Sequence, residues 1–203
     1  MVIITRITIL AKSVKHTGFC VVGIDDSGKW VRLVRDDEGH ALPEEDCKFE
    51  KLDIINADAA PAPLPRQPEN HILNEVYSTT KGRQDLAIFE DLLDNWENEC
   101  IFYDDERFLP PRRCLKGRPS ITAVSVNDFE IYQHSEGTYK ASFICNSIKY
   151  KDISVTDPEY MRRACKLKRA TIIATLPGTP FSKYGRDLYY KFVCAVYPLD
   201  SAR

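Results

Sequence analysis

The chain has 203 residues, 43% hydrophobic and 29% charged, with a formal net charge of −2. These values describe a folding chain rather than a disordered one, long enough for one large domain or two small ones. No run approaches the ~20 apolar residues of a membrane-spanning helix. The charge is unevenly divided. Residues 1–100 hold 11 Lys/Arg against 19 Asp/Glu, a balance of −8, and residues 101–203 hold 17 against 11, a balance of +6. A basic second half suits an anionic partner, and equally suits attraction to the acidic first half. The overall balance is not that of a strongly basic DNA binder.

Seven cysteines are scattered at 20, 47, 100, 114, 145, 165 and 194. Several lie in apolar strand runs, where a thiol behaves as a small buried hydrophobe, and no export signal is read, so a reduced cytoplasmic protein is expected. The opening MVIITRITILAKSVKH alternates in hydrophobicity and lacks a small-residue cleavage site, which makes it a strand rather than a signal peptide.

In chain order, residues 2–11 alternate, 18–24 (GFCVVGI) form a compact apolar run, and 29–35 (KWVRLVR) alternate again. Asp25-Asp26-Ser27-Gly28 between the last two is hairpin material. A short strand over Leu52–Asn56 follows an acidic loop. Residues 57–70 hold four prolines and read as an extended connector. The spacing Leu86, Phe89, Leu92, Leu93, Trp96 predicts a helix over 85–96, with Gln84 or Asp85 as its cap. The Pro- and Arg-rich stretch 104–119 reads as a linker between domains 1–103 and 120–203.

The second module is more regular. Strands are predicted over 120–133 (with a bulge at Asn127-Asp128), 139–145 and 147–155. Asp157-Pro158-Glu159 resembles a helix start, and the helix to which it leads would bury Met161, Ala164 and Cys165 and expose Arg162, Lys166 and Arg169. Strands over 170–176 and 189–197 follow. Strand-strand-strand-helix-strand-strand is the element order of an OB barrel, whose helix plugs one end and whose fourth-to-fifth-strand loop borders the binding face. The first half carries a looser version. The fold class expected is mainly β with minor α, as two OB-like barrels packed in tandem.

No catalytic or metal-ligand fingerprint is found: no phosphate-cradling loop, no GxSxG, no HExxH and no paired-Cys spacing. No cofactor is called for. Trp30 and Arg32 share a strand face and could stack a base and pair a phosphate; a core Trp30 beside a snorkelling Arg32 fits as well. Glu69 and Asn70 follow the rigid Pro68 and could read a base edge, or form a turn in which Asn70 bonds its own backbone. Arg112, Arg113 and Lys116, with Arg107 and Arg118, could track a phosphate backbone, although Asp104, Asp105 and Glu106 lie beside them. The loop 177–187 interleaves Phe181, Lys183, Tyr184 and Arg186, and Tyr189, Tyr190 and Lys191 follow. This is the most nucleic-acid-like stretch in the chain.

GFCVVGIDDSGKWVRLV resembles the opening of the dual OB-containing domain of bacteria, with its glycine-cysteine strand, aspartate-glycine hairpin and tryptophan-x-arginine strand. RQPEN is similar to that family's proline-glutamate-asparagine element, and LPGTPF with YYKFVCAVYP to its closing strands. Leu33 and Ala195 stand where the family pattern has proline and glycine. The resemblance implies two linked OB barrels, recognition of nucleic acid or nucleotides, and a place in bacterial defence. It carries Trp30, Arg32, Glu69, Asn70, Phe181 and Lys191 over as site positions. The leading expectation is therefore a non-catalytic module binding nucleic acid or a nucleotide-like ligand. The alternatives are a protein-interaction adaptor using barrel grooves and edges, and a nuclease or nucleotide hydrolase built on Asp25, Asp53 and Glu69.

Overall fold

The structure is a computed structural model that describes residues 4–15, 18–82, 100–113, 117–183 and 186–199. The chain divides into two compact units, residues 1–86 with 116–119 and residues 87–115 with 120–203. The helix expected over 85–96 lies outside the described residues.

The first unit is a closed five-stranded barrel of β1 (Ile4–Lys15), β2 (Gly18–Asp25), β3 (Trp30–Val34), β4 (Ile54–Pro61) and β5 (Asn70–Thr80), in the order β1-β2-β3-β5-β4. All neighbours are antiparallel except β3 and β5, which run parallel with Arg32 opposite Asn70. This is the Greek-key wiring of an OB barrel. Alternation places Ile7, Ile9, Val21, Val31, Leu33, Ile55 and Ala57 inside, with Phe49 from the β3–β4 connection. β1 is long enough to pair with β2 along residues 7–15 and with β4 along residues 4–8. A bulge between Ile9 and Ala11 lets it turn the barrel corner.

The proline-rich segment departs from expectation. β4 continues through Ala57 and Ala59, both buried, and its proline comes only at the last position, Pro61. β5 was not anticipated at all. Its core-packed residues Leu73 and Val76 oppose Ala59 and Ala57, a spacing of three on β5 against two on β4. The register skips Asn74 and Tyr77, so two bulges on β5 erase the period-two signal.

In the second unit, β7 (Ile121–Ser135), β8 (Thr138–Cys145), β9 (Ile148–Val155), β10 (Cys165–Thr175) and β13 (Phe192–Pro198) close a second barrel with the same wiring. Again the third and fifth strands, β9 and β13, are the parallel pair. The expected bulge is present: the β7 register shifts between Asn127 and Glu130, and Asp128 takes φ 49. β6 (Phe108–Leu109), β11 (Phe181–Lys183) and β12 (Arg186–Tyr190) form a small sheet in the order β11-β12-β6. The mainly β reading with two OB-type barrels therefore holds.

The helix after Asp157 does not form. Residues 158–163 are turns, and β10 begins at Cys165. Asp157 is buried, its Oδ1 accepting the Glu159 amide (2.9 Å) and its Oδ2 the Val196 amide (2.8 Å), so it tethers the turn to β13 rather than capping a helix. The long β7 offers partners to the stretch beyond. Cys165, Lys166 and Leu167 pair with Ile131, Glu130 and Phe129, and Lys166 bridges Glu130 at 2.9 Å. Ala164 is exposed, and Tyr160 enters the core in place of the plug helix. The strand over 189–197 is broken at Lys191, which separates β12 from β13. The stretch 101–113, read partly as linker, belongs to the second unit.

Gly23 marks a close approach of strands: a Cβ there would lie 2.3 Å from the Thr8 carbonyl oxygen and 2.8 Å from Ile7 Cγ2. Gly23→Ala is expected to destabilise the chain by about 1–3 kcal/mol through overpacking, read from urea denaturation. An unchanged midpoint would refute the close packing of β1 on β2.

Candidate functional site

Three of the first-unit residues singled out from sequence come together, because the parallel β3–β5 register juxtaposes positions 37 apart in the chain. Arg32 Nε lies 3.3 Å from Glu69 Oε1, with both side chains almost wholly covered, and Arg32 Nη1 donates to Cys20 Sγ at 2.8 Å. The Arg32 amide donates to the Glu69 carbonyl at 2.8 Å. Asn70 is fully buried and donates through Nδ2 to Gln67 Oε1 at 3.4 Å. Such a buried ion pair is costly to assemble and costlier to break, since removing one partner strands the other charge. The cluster is a clamp on the barrel seam, not an open groove. Trp30 lies at the other end of β3, half-buried and paired with Ile24.

The acids considered for hydrolytic chemistry are each engaged locally. Asp25 holds the Ser27 and Lys29 amides, Asp53 holds Lys81 and the Glu50 amide, and Glu69 holds Arg32.

In the second unit, Lys191 is buried inside the barrel wall. Its Nζ donates to the Asp104 carbonyl at 2.5 Å and sits 4.9 Å from the centre of the Tyr150 ring. The Tyr150 hydroxyl accepts from the Ile101 amide and donates to the same Asp104 carbonyl, both at 2.9 Å. The Asp104 carboxylate meets Arg113 Nη1 at 2.5 Å. Lys191, expected as a ligand contact, thus joins Tyr150 in fastening the segment at Asp104 to the barrel, while Arg113, expected to meet a phosphate, ties the segment's far end back to Asp104. Arg112 is exposed; Lys116 and the side chain of Lys183 lie outside the described residues.

What remains on the surface is concentrated on the β11-β12-β6 sheet and the adjoining barrel face. Phe181 pairs with Leu188, and Tyr190 with Phe108. Alternation therefore puts Phe181, Leu188, Tyr190 and Phe108 on one face, with Arg186 at its end, while Tyr189 turns into the core. The rings are contiguous: Phe181 meets Tyr190 edge-on at 6.0 Å and Phe108 meets Tyr190 at 5.9 Å. Phe181 is 56% exposed.

On the barrel itself, Ile131, Ala141 and Ile153 form an inward row across β7, β8 and β9, so their neighbours Tyr132, Lys140 and Ser154 form the outward one. Lys140 Nζ donates to Ser154 Oγ at 2.7 Å. Its ammonium titrates below the usual lysine range, chiefly through burial and then through the nearby Arg107 guanidinium. Asp152 takes a left-handed backbone (φ 58), and its carboxylate accepts the Tyr132 hydroxyl at 2.7 Å, with Arg107 Nη1 at 4.0 Å and His134 Nδ1 at 3.6 Å. Arg107 joins the two patches, since it precedes Phe108 and its carbonyl accepts the Lys191 amide at 3.0 Å.

An aromatic row beside half-desolvated cations is the arrangement by which OB barrels hold single strands, bases on rings and phosphates on ammonium and guanidinium groups. Of its members, sequence reading found Phe181 and Tyr190, and noted Arg107 and Arg186 only as parts of basic stretches. It missed Phe108, Tyr132 and Lys140. The outward alternation of 132, 140 and 154 was the available signal.

Burial pulls Lys191 from the ordinary 10.5 down to about 8, against the opposing attraction of Asp104. Between about pH 8 and 10.5 the folded state therefore binds fewer protons at this site than the unfolded state, and its contribution to stability rises with pH. Urea denaturation should show wild type gaining stability relative to Lys191→Met across that window and a flat difference below it. A difference independent of pH would contradict the burial.

Residues 5–196 match the family model described as the dual OB-containing domain. No curated protein and no solved structure matches the chain.

Proposed function

Because the chain belongs to the dual OB-containing domain family, we propose that its second barrel binds single-stranded nucleic acid across the outer face of β7–β9 and the β11-β12-β6 sheet. The observation that carries this reading is the contiguous row of Phe181, Tyr190 and Phe108 beside Arg107 and Lys140. Solvent-facing rings of this kind accept any base by stacking, at about 1–3 kcal/mol per base. Phe181 is the most accessible of the three and takes the first base. Lys140 and Arg107 meet phosphates, and the approach of an anion offsets the burial of the Lys140 ammonium and its repulsion by Arg107. Asp152 orients Arg107 and Tyr132 from its left-handed turn. The excess of 17 Lys/Arg over 11 Asp/Glu in residues 101–203 supports the same partner. In this reading Arg32, Glu69 and Asn70 close the first barrel and Lys191 braces the second, and they touch no ligand.

Fluorescence anisotropy with labelled oligo-dT and oligo-rU tests it. Phe181→Ala is expected to weaken binding by about 5- to 150-fold, the equivalent of one lost stack. Lys140→Ala and Arg107→Ala should each reduce the slope of log affinity against log salt by about 0.7. Lys29→Ala, on the first barrel, should leave affinity unchanged. Absence of binding to either strand at low salt would sink the proposal.

A further inference from the structure

The first barrel holds a feature that nucleic-acid binding does not use. β3 covers one edge of β5 only along Asn70–Ile72, where Arg32, Leu33 and Val34 pair with Asn70, His71 and Ile72. Beyond that, β5 is paired with β4 on one side, and among the described residues no strand lies on the other. A cleft of about 410 Å³ opens along this edge, and all seven residues from Leu73 to Thr79 line it. When residues of both faces of a strand line one cleft, the cleft follows the strand's edge, where backbone N–H and C=O groups lie.

The opposite wall is the segment Glu45–Phe49. It is firmly held: Lys12 Nζ donates to the Cys47 carbonyl (2.9 Å) and the Phe49 carbonyl (3.0 Å), and Phe49 and Cys47 are buried in the core. Among the described lining residues, the acids Glu45, Asp46 and Glu75 outnumber the one base, Lys48. Glu75 also sits directly opposite Asp58 on β4, a like-charged cross-strand pair that costs stability until a cation approaches.

We propose that this cleft is a docking site for a short, extended, basic segment of a partner protein, which lies along β5 where β3 leaves off. Backbone pairing supplies the attachment and the acidic walls select lysine and arginine side chains, the mode of strand addition used by other peptide-binding domains. A second copy of this chain fits poorly, because two such edges would bring Glu75 and its acidic neighbours together. The bulges at Asn74 and Tyr77 further limit the edge to a short partner rather than a growing sheet.

The test uses the full chain and a fluorescein-labelled peptide of alternating lysine and valine. The expected result is saturable binding that protects β5 amides within Leu73–Thr79 from hydrogen exchange. The combined variant Glu45→Lys, Asp46→Lys, Glu75→Lys should weaken it at least tenfold without lowering the melting temperature or the oligonucleotide affinity. The same peptide N-methylated at alternate residues should also lose at least tenfold. Equal binding of the N-methylated peptide, an unaffected triple-lysine variant, or protection confined to other strands would each overturn the proposal. So would concentration-dependent self-association abolished by the same three substitutions, which would assign the edge to a second copy.

Discussion

Each barrel closes through a very short parallel contact between its third and fifth strands, and the rest of its geometry depends on that seam. In the first barrel it comprises three residue pairs, Arg32–Val34 with Asn70–Ile72; in the second, Ser154 and Val155 with Phe192 and Val193. So few pairs would be a weak closure on their own. In both barrels the residue just before the fifth strand is a buried charge, Glu69 in one and Lys191 in the other. Each is compensated by groups distant in the chain: Arg32 for Glu69, and the Asp104 carbonyl for Lys191. The buried charge makes the seam specific, since any other register would strand it without a partner.

The second seam also organises the surface. By fastening Asp104, Lys191 draws residues 101–109 onto the barrel, with Tyr150 holding the same segment through Ile101 and Asp104. That places Arg107 beside Asp152 and lets Phe108 pair with Tyr190. The aromatic row therefore exists because a buried lysine and a buried tyrosine anchor what would otherwise be a connector. A stretch dense in proline and arginine becomes one wall of the proposed binding face.

Among the described residues, the first barrel closes with no comparable extension beside its fourth and fifth strands. Its β5 outruns β3, and the length beyond carries acids and bulges, with no covering strand among the described residues. The two barrels share their wiring and differ in surface chemistry, aromatic and basic in one and acidic with an open edge in the other.

The element types were legible wherever burial was one-sided. Alternation marked β1 and β3, strand-forming runs marked β7, β8, β9 and the second half of β10, and the Asp25–Gly28 turn marked its hairpin. A strand with one wet face writes its period into the side chains, and a buried one reads as an apolar run. Arg32, Glu69 and Asn70 stood out as unusual, and family resemblance tied them to one site. That they are buried and paired at the seam was decided only by the β3–β5 register. β5 was invisible because two bulges turned its inward spacing from two to three. The helix expected after Asp157 was lost to β7, whose length provided partners for Cys165–Leu167 and outweighed a local start signal worth about 1 kcal/mol. Local sequence thus determined where strands and turns lie. Which polar residues are buried, and which rings share a face, depended on pairings between residues far apart in the chain, and no local pattern encodes those.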